Sequence, residues 1–390
     1  MKNISQVHNC YGCGVCSKAC GKSLIHMRLN DDGFYEPHIT DFDKCVNCGM
    51  CVSVCSYLHE DIANESKPLE SFGGWSNEHA VRRKCSSGGV GFEIGRYLIE
   101  QGYKVCAVRY NAESERTGHY IASTIEELLQ SAGRKYMKSY TMDALLQLDR
   151  KQKYLVTGTP CQIDSFRRYI RKFRCEENFV LLDFFCHGVP SAFAWKRYCQ
   201  MQEKKVGKIV YASWRNKQAG WHDSWAVGID GIEKGEPIDW HDSYNLLIKG
   251  KKSFVHSRYT KGDLYYKLFL GDFCTNPACH NKCKFKYDKS SADIRIGDAW
   301  GETYKENEDG VTSTVAFTDR GKSILEKVNC TFEPHSFAVA AEGQMKVNSQ
   351  KSPLADIVMF MLKHDLNLQV VKYVVKLDYL IRKLKKVIRL

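Results

Sequence analysis

Eight of the chain's 18 cysteines fall in two runs of identical spacing, and that spacing constrains the fold more than any other feature. Cys10, Cys13, Cys16 and Cys20 form the first, in CYGCGVCSKAC; Cys45, Cys48, Cys51 and Cys55 form the second, in CVNCGMCVSVC. Three thiolates spaced by two residues can take three corners of an iron–sulfur cube, and the fourth then comes from the other run. This crossing assigns one 4Fe–4S cluster to Cys10, Cys13, Cys16 and Cys55, and a second to Cys45, Cys48, Cys51 and Cys20. Zinc sites more often draw on separated pairs of ligands. Gly12, Gly14 and Gly49 stand between ligands, where the backbone must bend sharply and bring amide N–H groups close to sulfur. The residue after the fourth cysteine, proline in the bacterial pattern, is Gly21 in one run and Ser56 in the other. Such a unit passes electrons singly and binds no organic substrate itself, so the rest of the chain must show what it serves.

At 390 residues the chain has room for two or three domains. No apolar run approaches a membrane span. The opening MKNISQVHNC carries no apolar segment before the first cysteine, which argues against export. A reducing cytoplasm, where thiols bind metal rather than pair as disulfides, is the expected compartment.

Four regions follow one another. Residues 1–65 hold the paired runs as a small ferredoxin-like dicluster domain, and 75–200 read as an α/β part. Residues 201–340, richer in aromatics and strand-like alternation, read as the C-terminal part of the same body. Residues 350–390 read as a basic amphipathic helix. The fold class is α/β, α+β overall. GGVGFEIGRYLIEQG predicts a glycine-led helix and YKVCAVRY a strand. YLVTG predicts a strand, Thr159-Pro160 a helix start, and FVLLDFFC a second strand. Ser191 caps a helix over SAFAWKRYCQMQ.

YLVTG, the helix from Cys161 and FVLLDFFC make a β-α-β unit, whose right-handed crossover places the strands parallel. Cys161 and Cys186 then lie at one carboxyl edge, where open α/β sheets bind ligands. Cys161 also gains the dipole of a helix N-terminus, which favours a thiolate. CTNPACHNKCKF adds Cys274, Cys279 and Cys283, two of which would complete a third four-thiolate set. By spacing alone, Cys161 and Cys186 serve equally well as small buried core residues.

GTPCQ at 158–162, CHGVPS at 186–191 and ADIRIGDAWG at 292–301 resemble the beta-subunit family of coenzyme F₄₂₀ hydrogenases and dehydrogenases. SSGG at 86–89, RKYMKS at 134–139 and RNKQAGW at 215–221 resemble further motifs of that family, in the same order. The resemblance covers residues 5 to 305. It implies a flavin, FAD or FMN, beside a third 4Fe–4S cluster ligated by Cys161, Cys186, Cys279 and Cys283. The family usually spaces its last pair C-x2-C, whereas Cys279 and Cys283 are C-x3-C, which leaves Cys274 as a substitute ligand. Relatives reduce deazaflavin, or double bonds of chlorophyll-type rings with ferredoxin electrons.

Ser86, Ser87, Gly88 and Gly89 open a helix with small residues, a turn that holds a phosphate or flavin edge or simply caps the helix. The resemblance points Lys135 and Tyr136 at the flavin ring. Asp298 and Trp300 follow a strand and either line the redox pocket or form a buried turn. Four tryptophans, Trp214, Trp221, Trp225 and Trp240, read as core aromatics. Arg215, Lys217 and Trp221 fall on a family motif, and a basic-aromatic set suits a flat anionic substrate. His187 reads as structural, and no catalytic proton donor stands out.

The net charge is +12, and Lys372, Lys376, Arg382, Lys383, Lys385, Lys386 and Arg389 crowd the tail against one acid, Asp378. Val370, Val374, Leu377, Ile381, Leu384 and Ile388 recur there at helical spacing. Such a helix packs on its own body, docks a partner or lies on anionic lipid. Nucleic acid is disfavoured, since the basic residues concentrate in the tail. The expected function is an iron–sulfur flavoprotein oxidoreductase, with ferredoxin or another redox protein and a small-molecule acceptor as partners. The alternative is an electron-transfer subunit of a larger complex with no substrate of its own.

Overall fold

The computed structural model describes residues 2–232 and 254–388. Trp240 and Arg389 lie outside the described residues, as do the side chains of Lys385, Lys386 and Ile388.

The body is organised on an eight-stranded sheet. In spatial order its strands are Cys330–Pro334, Glu70–Ser76, Thr312–Ala316, Ile294–Asp298, Phe179–Phe184, Tyr154–Thr157, Lys104–Asn111 and Arg116–Ala122. The four from Ile294–Asp298 to Lys104–Asn111 are mutually parallel, and the flanking pairs are antiparallel. Parallel strands are covered on both faces, which is why FVLLDF is apolar almost throughout. Its one acid, Asp183, is fully buried and takes Arg295 of the neighbouring strand through two bonds, at 2.7 and 2.8 Å.

The β-α-β unit is formed as the sequence predicts. Strand Tyr154–Thr157 leads into helix Pro160–Lys172, and Leu155 pairs in parallel with Val180 of the next strand. Pro160 occupies the first turn, and the Thr159 N–H donates to Gln162 Oε1 at 2.8 Å, half of a capping box. The glycine-led helix runs Val90–Glu100, and the Ser191 hydroxyl caps helix Ala192–Val206 by accepting from the Phe193 N–H.

Strand-like alternation after residue 205 has two destinations. Ile209–Arg215, Trp225–Gly231 and Phe254–Arg258 form a separate antiparallel sheet. Ile294–Asp298, Thr312–Ala316 and Cys330–Pro334 instead return to the central sheet. An aromatic core containing Trp195, Tyr198, Trp214, Tyr265 and Tyr266 lies beneath the smaller sheet.

The head holds a hairpin, Ile25–Leu29 with Tyr35–Ile39, and two short helices, Val15–Ala19 and Met50–Ser53. The tail forms helices Ala355–Lys363 and Leu368–Ile388. The longer one buries Leu368, Val371, Val375 and Asp378, while Val370, Leu377 and Leu384 of the apolar stripe face outward.

Candidate functional site

Each cysteine run turns through glycine into a short helix. Gly12, Gly14 and Gly49 have φ of 60°, 76° and 74°, in the region that L side chains avoid. The Gly12 N–H donates to Cys10 Sγ at 3.3 Å, so the bend brings an amide onto sulfur. Cys10, Cys13, Cys16 and Cys55 gather: after burial, Cys13, Cys10 and Cys55 raise the Cys16 thiol, and Cys13 and Cys55 raise Cys10. Cys51 neighbours Cys20 of the other run. Burial, followed by the charge of Cys13, pushes the Cys55 thiol up to about 12. A bound metal would supply the charge that lets such thiols ionise.

Cys161, Cys186, Cys279 and Cys283 also converge. Burial raises the Cys279 thiol first, and then the other three raise it further. Cys274 does not join them. It is 1% exposed in the aromatic core and shares that core with Tyr265, so it is a packed thiol and not the substitute ligand that its sequence position allows. Among the described residues, no three His, Cys, Asp or Glu side chains converge on a point that one ion could occupy.

The head and the third thiol set touch. Cys13 Sγ lies 3.3 Å from Ser165 Oγ, one helical turn after Cys161 on the same helix. Tyr11 packs with Ala278, Phe285, Cys161 and Cys283, and its hydroxyl donates to the Lys282 carbonyl. The Asn276 amide donates to the Cys10 carbonyl at 3.1 Å. Ser56 stands where the bacterial pattern has proline, and its N–H donates to Ser165 Oγ at 3.1 Å. Proline has no N–H to give, so the departure at this position secures the head to the body.

Beside the third set, at the carboxyl edge of the parallel strands, lies a cavity of about 410 Å³. Cys186 lines it together with Thr157, Gln162, Trp225, Phe269 and Trp300. Ser86, Ser87 and Gly89 line it too, and Gly89 at φ 92° starts the helix Val90–Glu100. Gly88 does not line it: a Cβ there would meet the Gly74 carbonyl oxygen at 2.2 Å, so its smallness serves packing on the strand Glu70–Ser76.

Lys135 and Tyr136 line the cavity in different ways. The Lys135 ammonium donates to the carbonyls of Gln130, Ser131, Ala132 and Gly133, between 2.7 and 3.3 Å, and burial lowers its pKa to about 7. Its donors are occupied by the wall's own backbone and not presented to a ligand. The Tyr136 ring stacks on Trp225, with centroids 5.0 Å apart.

Asp298 sits behind the wall, outside the cavity lining. It is fully buried between Arg134 at 2.8 Å and Arg215 at 3.1 Å. Burial alone would raise its pKa, but the two guanidiniums outweigh this and hold it below the ordinary range. Trp300, two residues on, does line the cavity and stacks on Trp221 at 4.9 Å.

The basic pair Arg215 and Lys217 does not face the cavity either. Lys217 donates to the carbonyls of Arg82 and Ser87 at 2.7 and 2.5 Å, and Arg215 to that of Ser86 at 3.4 Å. Both hold the serine–glycine loop from behind. Sequence reasoning missed Ser165 and Lys286. The Lys286 ammonium donates to the Cys186 and His187 carbonyls, at 2.7 and 2.8 Å, beside the third thiol set. Its place three residues after Cys283 was the available signal.

Residues 71–147 match the profile described as coenzyme F₄₂₀ hydrogenase/dehydrogenase, beta subunit N-term, and 151–333 the profile for its C terminus. Residues 9–58 match a 4Fe-4S dicluster domain. The coenzyme F₄₂₀-dependent sulfite reductase of Methanocaldococcus jannaschii is 26% identical over 165 residues, 41% of this chain and 25% of that protein. An uncharacterized protein of the same organism is 26% identical over 200 residues, 42% of this chain and 53% of its own length. The chain thus spans a quarter of one curated relative and about half of the other. A chain from the F₄₂₀-reducing NiFe hydrogenase complex of Methanosarcina barkeri superposes at TM-score 0.46, with 17% identity, over 81% of this chain and 94% of that one.

Proposed function

We propose, for a chain that belongs to the coenzyme F₄₂₀ hydrogenase/dehydrogenase beta-subunit family, that it is an iron–sulfur flavoprotein oxidoreductase exchanging electrons with an organic acceptor. The observation that carries this reading is Cys186, which belongs to the converged thiols and also lines the cavity. The head reaches the same thiols through Tyr11 and Cys13, so donor, relay and reaction chamber adjoin.

In this reading Cys10, Cys13, Cys16 and Cys55 hold one cubane, Cys45, Cys48, Cys51 and Cys20 a second, and Cys161, Cys186, Cys279 and Cys283 a third. The cavity takes a flavin, FAD or FMN. Its volume is within the range of about 300–1,000 Å³ usual for ligand sites, and its aromatic walls suit a flat ring. When bound, cubanes carry single electrons and a flavin joins two of them into a hydride. The protein's part is to position and enclose. Ser86, Ser87 and Gly89 offer a helix N-terminus, the site of choice for phosphate oxygens. Trp225 and Trp300 wall the ring site, and Arg215 and Lys217 fix the loop from outside.

The electron donor is a ferredoxin or another redox protein, and the acceptor a deazaflavin-like or other unsaturated molecule. The body assigned to residues 75–200 and 201–340 acts as one unit, because strands from both parts share the central sheet. No helix among the described residues is long and apolar enough to cross a membrane, and the cytoplasm is the proposed compartment.

Anaerobic purification followed by iron and flavin analysis tests the proposal. The expected result is about twelve irons per chain and one flavin, with an absorbance that dithionite bleaches. Absence of flavin in protein with its full iron overturns it. The family's description as a beta subunit also supports a carrier inside a larger complex; that reading predicts full iron and flavin with no turnover by the chain alone.

A further inference from the structure

The C-terminal helix Leu368–Ile388 has two apolar faces, and only one is used by the fold. The inner face carries Val371 and Val375, 0% and 1% exposed, in the aromatic core. Asp378 fixes that face: its carboxylate accepts from Ser352 Oγ at 2.8 Å, the Leu354 N–H at 3.2 Å and Arg382 Nε at 2.6 Å. Arg382 in turn donates to the Gly271 carbonyl at 2.8 Å. The helix is therefore clamped to the body in one rotational setting.

That setting turns a second stripe outward. Val370, Tyr373, Leu377, Leu380 and Leu384 are 51%, 70%, 52%, 58% and 61% exposed. Their 3-4-3-4 spacing keeps them in one line, about 21 Å long at the rise of an α-helix and about 150° around it from the buried face. Val374 and Ile381, half-buried, widen the line on one side. Exposed Lys372, Lys376 and Lys383 border it on the other, and the one acid of the described helix, Asp378, is buried. Isolated apolar residues on a surface need no explanation, whereas a continuous line bordered by one sign of charge does.

We propose that this outer face lies on a membrane surface rich in anionic lipid, with the apolar line at the level of the acyl chains and the lysines among the headgroups. Charge decides among occupants. A second copy would bring lysine borders together with no exposed carboxylate on either helix to meet them. A nucleic acid would use the lysines and leave the Leu–Tyr line in water. An anionic bilayer satisfies both features at once, since apolar insertion and headgroup attraction act along the same helix. The proposal does not depend on which cofactors the body holds.

Co-sedimentation of the full-length, anaerobically purified protein with phosphatidylcholine vesicles, with and without one quarter phosphatidylglycerol, tests it. Binding is expected to the anionic vesicles, roughly tenfold above the neutral ones, and to weaken as salt rises. Leu377→Asp combined with Leu380→Asp abolishes binding while iron content and circular dichroism stay unchanged, because both side chains already face solvent. Lys372→Glu with Lys376→Glu lowers binding to anionic vesicles alone. Equal binding to both vesicle types, or none to either, overturns the proposal. So does a dimer in light scattering that the leucine variant dissociates.

Discussion

Arg215 Nη1 lies 3.1 Å from Asp298 Oδ2, and neither side chain reaches solvent. The pair joins three parts of the cavity wall. Asp298 ends a central strand, Arg215 ends a strand of the smaller sheet, and Arg215 also donates to the Ser86 carbonyl. Its guanidinium is sandwiched between Trp225 and Trp300, 5.0 and 5.3 Å from their ring centroids. The aromatic walls thus hold their positions through a charge pair set behind the cavity lining.

Asp298→Asn tests this directly. The substitution keeps the shape but leaves the Arg134 and Arg215 guanidiniums facing a neutral acceptor. Removing one partner of a buried pair costs about 3–5 kcal/mol, and a loss of that order is expected in urea unfolding. In the flavoprotein proposed above, flavin retention falls with it, since both tryptophans lose their support. An unchanged unfolding midpoint would show that the pair contributes little.

Much of the fold was legible because local signals agreed with the global one. GTPCQ carries a cap, a first-turn proline and a strand before it, and all three appear where the sequence puts them. The partition of residues after 205 between two sheets was not legible, because a strand's alternation does not name its partner. Basic residues misled for a related reason. Arg215 and Lys217 read as ligand-facing charges, yet each donates inward, to the Asp298 carboxylate or the Ser87 carbonyl, from behind the cavity wall. Sequence shows that a cation is present, while only packing shows which way it points. The tail helix carried two apolar faces, and spacing alone could not say which one the body takes.

The third thiol set separates two cysteines that the sequence left interchangeable. On the proposed three-cluster reading, Cys161→Ser should remove about four of twelve irons and one electron paramagnetic resonance signal of the reduced protein. Cys274→Ser should leave iron content and spectra unchanged, because Cys274 packs in the aromatic core away from the other thiols. Loss of iron in the second variant and not the first would reverse the assignment.

Ser165 holds the head against the body. Ser165→Ala removes the acceptor for the buried Ser56 N–H and the hydroxyl beside the half-buried Cys13 Sγ. An orphaned buried amide costs about 1–3 kcal/mol. The expected outcome is a drop of that size in stability and faster hydrogen exchange confined to the head, with the central sheet unaffected. Exchange that rises uniformly through the chain would mean that head and body do not come apart there.

His119 gives stability a dependence on pH. It is buried on strand Arg116–Ala122, with Nε2 2.9 Å from the Thr157 carbonyl and Nδ1 without a partner. Burial, joined by the Lys138 ammonium, outweighs the carbonyl and lowers its pKa to about 4. The unfolded chain binds a proton below about 6.5, whereas the folded one refuses it until about 4. Stability is therefore complete above the first value and lost as pH falls toward the second, by about 3 kcal/mol in all. Asp298 contributes in a separate window: its depressed pKa matters only below the ordinary carboxylate range. Comparing His119→Gln with the parent in urea at intervals from pH 7 to 4 isolates the effect, since every other titrating group is common to both. The parent should lose stability across the window relative to the variant; parallel curves would mean that His119 takes up its proton as readily inside the fold as outside it.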